Sequence, residues 1–82
     1  MASNWWIETS DYRVVVQSDG KETVHEATFS SDHSPDPEDW ADCSCGFSVS
    51  PRRHGALGLL HDHFRDFGAA DVKPIRTRSK SI

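Results

Sequence analysis

The chain has 82 residues and a formal charge of −4, enough for one domain with a small interior that needs a staple besides core packing. Hydrophobic residues make up 35% and the mean hydropathy is −0.64, a polar balance that three Trp, four Phe and one Tyr offset only in part. No apolar run approaches the ~20 residues of a membrane span, and the start MASNWWIE lacks the charged head and apolar run of a leader, so a soluble, cytoplasmic protein without membrane association is expected.

The charge is uneven. Residues 1–70 hold 12 acidic and 5 basic groups, whereas 71–82 hold Asp71 against Lys73, Arg76, Arg78 and Lys80. Residues 1–70 therefore read as a single zinc-binding domain, on the metal argument below, and 71–82 as a basic, disordered tail.

In chain order, Asn4 to Thr9 suggests a first strand, with Trp5 and Ile7 on one face. Residues 11–17 and 22–29 are β-branched and aromatic runs around Ser18-Asp19-Gly20-Lys21, the signature of a hairpin with a two-residue turn. That turn sets Arg13 opposite Glu26 and Val14 opposite His25, and gathers Tyr12, Val14, Val16, His25, Ala27 and Phe29 on the core face. Residues 30–39, with Pro35, Pro37, His33 and four acidic groups, read as an exposed loop ended by Trp40. Residues 40–50 suggest a tighter hairpin with Cys43 and Cys45 at its turn and Gly46 supplying left-handed backbone. A helix over 51–67 is expected, with Ser50 as N-cap, Pro51 first and Gly68 just past its end. Its apolar stripe is Ala56, Leu57, Leu60, Phe64 and Phe67. The fold class is α+β: an N-terminal hairpin of two or three strands, a tight Cys-bearing hairpin, and one C-terminal helix packed on the sheet and stapled by zinc.

Two cysteines in a cytoplasmic chain point to metal ligands or free thiols rather than a disulfide, and bridging Cys43 to Cys45 would close a small strained ring. Zinc takes four tetrahedral N or S ligands, and thiolate with imidazole is a favoured set, so Zn2+ is the expected cofactor. The histidines available are His25, His33, His54, His61 and His63. On a helix His61 and His63 diverge by about 200°, and His54 and His61 lie about 10 Å apart along the axis, so one helical ligand is expected. His61, beside Leu57 and Phe64, is the first choice and His63 the alternative, since both flank the stripe. The hairpin register turns His25 inward and makes it the other expected ligand, ahead of His33 and His54.

The run Trp40-Ala41-Asp42-Cys43-Ser44-Cys45-Gly46-Phe47, followed by a helix that contains Ala56 and ends with His61 or His63, resembles small Cys-x-Cys-Gly-aromatic proteins of actinobacteria and their phages. Those are zinc-finger-like, mostly without an assigned activity. The similarity covers residues 40–64, with Phe47 where that pattern often has Trp. It implies a zinc-finger-like module in a bacterial or phage setting.

One small core leaves little room for a substrate cleft, so a zinc hydrolase built on His61-Asp62-His63 and Asp66 ranks below a non-enzymatic interaction module. Two surfaces suit a partner. Arg52 and Arg53, in the expected first helical turn, oppose the helix dipole and fit phosphate or an acidic group. Trp5 and Trp6, with Trp40, form an aromatic group for core or partner. The acidic body points to a protein partner; nucleic acid held by Arg52, Arg53 and the basic tail is the alternative if these share one side. The oligomeric state is left open.

Overall fold

The computed structural model describes residues 5–69 and 71–81. The elements are β1 (Trp6–Ser18), β2 (Lys21–Asp32), β3 (Asp39–Cys43), β4 (Ser48–Arg52), α1 (Ala56–Arg65) and β5 (Arg76–Ser81). All strand pairs are antiparallel, and the five form one sheet in the order β4-β3-β2-β1-β5. Among the described residues, no helix is long and apolar enough to cross a membrane.

The β1–β2 turn has the expected chemistry. Asp19 and Gly20 both have positive φ, 53° and 76°, and Ser18 pairs with Lys21, leaving a two-residue loop. The register sets Arg13 opposite Glu26 and Val14 opposite His25. Alternation then sends Tyr12, Val14 and Ala27 into the core, with Val16 and Phe29 packed against it.

Two strand expectations change. The separate strand proposed over 4–9 is continuous with the hairpin arm, as one strand beginning at Trp6; Asn4 lies outside the described residues. The disordered tail is replaced over Arg76–Ser81 by β5, paired along β1 from Trp6 to Asp11. The cause lies in Asp11, whose half-buried carboxylate accepts from Arg76 at 2.9 Å and Arg78 at 3.0 Å. Ser10 and Thr77 join their hydroxyls at 3.2 Å, and Ile75 N–H donates to the Asp11 carbonyl at 2.7 Å. The acidic body and the basic tail thus partly answer each other within one chain.

The helix is shorter than 51–67, and Ser50 does not cap it. Ser48–Arg52 is β4, because Val49 pairs opposite Ala41 and packs against the core. Pro51 is tolerated since β4 is an edge strand and need not donate on its open side. The helix starts instead after Gly55, at φ 98°, without a side-chain cap. Its far end comes at Arg65, two residues before the expected 67, but Gly68 takes the expected left-handed backbone: at φ 82° it donates to the Arg65 carbonyl at 2.8 Å, and Ala69 donates to that of Phe64 at 3.1 Å. These crossed bonds satisfy carbonyls that the helix leaves open, in the Schellman pattern.

Helix α1 lies on one face of the sheet, against β3, β4 and β2. Ala56, Leu60 and Phe64 are fully buried there, with Ala41 and Cys43 beneath and Leu57 alongside.

A candidate metal centre

Register and turn together assemble the site. Ala27 of β2 pairs with Cys43 of β3, so His25, two residues along on the same core face, projects beside the β3–β4 turn. The turn is held in place by β2 itself: Ser44 N–H donates to the Glu26 carbonyl at 2.9 Å, and Glu26 N–H donates to Ser44 Oγ at 3.0 Å. Gly46, at φ 101°, closes the turn with its N–H on the Cys43 carbonyl at 3.0 Å. Both sulfurs are thereby presented to the same side as His25.

One ligand atom each from His25, Cys43 and Cys45 lie within 4.8 Å of one another. Cys43 Sγ is 3.8 Å from His25 Nδ1, and Cys45 Sγ is 3.2 Å from His63 Nε2. Both cysteines are free thiols, Cys43 buried and Cys45 exposed. The donor set of two sulfurs and an imidazole fits zinc or another thiophilic cation.

Phenylalanines wall the site. Phe47, the aromatic residue after the Cys-x-Cys-Gly run, stacks on the His63 ring at 4.0 Å between centroids and 8° between planes. Phe67 stacks on His25 at 4.2 Å and meets His63 edge-on at 4.6 Å. Burial holds the His63 imidazole below the usual histidine range, with the neighbouring His25 adding to the effect and Asp66 opposing it. Burial pushes the Cys43 thiol up; the backbone N–H of Cys45 opposes this, while the Cys45 side chain raises the thiol further through hydrogen bonding and charge. A neutral imidazole is ready to donate its lone pair, whereas a second thiolate here needs a cation to offset its charge.

The other expected site residues are dispersed. His61 meets Tyr12 edge-on at a centroid distance of 6.1 Å, on the β1 side of the helix, away from the sulfurs. His33 stacks on Trp6 at 4.6 Å, and His54 is exposed ahead of the helix. Arg52 and Arg53 are not in the first helical turn: Arg52 ends β4, and Arg53, just beyond, pairs with Asp36 at 3.0 Å. Trp6 is exposed, while Trp5 and Trp40 are half-buried.

Sequence reasoning missed the walls. Phe47 carried a signal, being the aromatic position after the glycine, but nothing in the pattern named His63 as its partner. Phe67 was assigned to the apolar stripe and instead faces two imidazoles. Compared with protein-family models, with curated proteins and with solved structures, the chain matches none.

Proposed function

We propose that the chain is a small, non-enzymatic zinc-binding module whose role is to hold an interaction surface for a partner protein. The observation that carries this reading is the convergence of His25, Cys43 and Cys45 from two strands and a turn onto one point. Sulfur and imidazole donors so placed select zinc over hard cations, and the binding free energy adds to the folding of a chain with a small core. The bacterial or phage setting follows only from the resemblance of residues 40–64 to the Cys-x-Cys-Gly-aromatic proteins.

Two hollows, of about 480 and 410 Å3, are lined by residues such as Arg13, Glu26 and Arg76 in one case and Ile7, Arg78 and Lys80 in the other. Neither of these two is lined by the sulfurs or by His25, though Ser44, between the cysteines, borders the first.

A protein partner is favoured over nucleic acid by where the cations lie. Arg52 is on β4 and Arg76, Arg78 and Lys80 on β5, at opposite edges of the sheet, about 19 Å apart across four strand spacings. Arg53, Arg76 and Arg78 are each engaged by a carboxylate. The Trp6–His33 stack, exposed at the sheet end away from the cysteines, offers a flat aromatic surface for such a partner.

Native mass spectrometry of the purified protein tests the metal reading: one zinc per chain is expected, lost with chelator. A folded protein with the metal-free mass in both conditions would remove it. For the partner class, a mixed-sequence oligonucleotide titrated at low salt is expected not to bind. Steep, salt-dependent binding would reverse that preference.

A further inference from the structure

We propose that His63 is the fourth metal ligand, closing the centre into a tetrahedron of two thiolates and two imidazoles with no position left for water or substrate. The inference rests on the zinc reading above and adds to it the missing donor and the coordination number.

Geometry carries the argument. A tetrahedral zinc with bonds of about 2.3 Å to sulfur and 2.0 Å to nitrogen spaces those two atoms about 3.5 Å apart. The two sulfur–nitrogen separations, 3.8 Å for Cys43 to His25 and 3.2 Å for Cys45 to His63, lie on either side of that value. They supply two edges of one tetrahedron, with His25 offering Nδ1 and His63 offering Nε2. His63 stands outside the three-residue group whose donors all lie within 4.8 Å of one another, so its Nε2, already beside Cys45, closes on the other donors as the metal binds. The His63 plane is set by Phe47 stacked on its face and Phe67 against it edge-on. Phe67 also touches His25, so one side chain holds both imidazoles and covers the site with apolar surface. His61, two residues earlier on the helix, points to Tyr12.

Closure has a structural meaning. His25 belongs to β2, Cys43 to β3, Cys45 to the β3–β4 turn and His63 to α1. A four-coordinate metal would tie the helix to the sheet, the role of a structural rather than a catalytic zinc.

Cobalt(II) loaded into the full chain tests this, because tetrahedral cobalt absorbs far more strongly in the visible than five- or six-coordinate cobalt. The wild type is expected to show the tetrahedral band, and His61→Ala to keep it with unchanged affinity. His63→Ala is expected to shift and weaken the band as water takes the vacated position, and to weaken zinc binding by more than the about 10- to 100-fold that loss of a supporting residue costs. Should His63→Ala not fold, His63→Cys keeps a donor in place, and its sulfur-to-cobalt charge-transfer absorption should rise by about half as two thiolates become three. A His63→Ala protein with wild-type spectrum and affinity, or a His63→Cys protein without added charge transfer, would overturn the fourth ligand while the zinc reading stood. A wild type that binds neither cobalt nor zinc would overturn both.

Discussion

Tyr12 shows how a single side chain in this small core reports on its surroundings. It is buried between Val14 and the helix, with Phe64 at 5.7 Å and His61 edge-on, and burial raises its phenol above the ordinary value. A raised value means that the neutral phenol is favoured in the folded chain. The associated stability is present below tyrosine's usual pKa of about 10 and is lost as pH rises through the folded value. Denaturant unfolding of metal-loaded protein at pH 8 and pH 11 should therefore show an alkaline loss in the wild type, and a smaller one in Tyr12→Phe. Equal losses would mean that the phenol does not ionise at a cost. Phe47 allows a second residue-scale test. As a ring that orients His63 without binding metal, its replacement in Phe47→Leu should weaken zinc binding by about 10- to 100-fold, the range for a residue that supports a ligand. A competition titration with a chromophoric chelator measures it.

At the scale of elements, the turns were the most legible part of the sequence. Asp19-Gly20 predicted a two-residue loop, and with it the pairing of Val14 with His25 that turns an imidazole toward the cysteines. Gly68 likewise marked the helix end, and because an L side chain at φ 82° costs about 1–2 kcal/mol, Gly68→Ala should lower the melting temperature of the metal-loaded protein by several degrees. The helix start was not legible. Ser50-Pro51 carries a good capping signal, but Val49 gains more by pairing opposite Ala41 and packing on the core, so tertiary burial overrode the local preference. The choice between His61 and His63 was equally hidden, since periodicity places them symmetrically about the apolar stripe. What separates them is which strands lie under each side of the helix, and that depends on the sheet order. His61 faces Tyr12 of β1, whereas His63 faces Phe47 and the Cys45 sulfur at the β3–β4 turn.

For the whole molecule, the uneven charge seen in the sequence takes on a structural sense. A basic end read alone suggests a disordered tail; read against Asp11, it becomes the edge strand of the sheet. No local pattern could reveal this, because the pairing spans more than sixty residues and alternating Arg, Thr, Ser and Lys is a weak strand signal. β5 touches β1 over Trp6–Asp11, whereas the candidate centre lies level with Tyr12 to Val14, the next stretch of the sheet. A chain ending at Lys73 should therefore still bind one metal ion, with lower thermal stability and faster amide exchange along the first half of β1. Loss of metal from that shortened chain, measured by native mass spectrometry, would show that the two ends of the sheet are coupled.

The pairing of Ala27 with Cys43 bears also on how the chain finds its fold. Strands alternate faces with every residue, so a slip of one position in β2 would bring Val24 or Glu26 to the cysteines and turn His25 to the other face. Neither replacement suits the sulfurs, since valine has no donor and glutamate adds charge beside two thiolates. A metal ion captured at this point would thus proofread strand alignment, rewarding one register and leaving its neighbours without a complete set of donors.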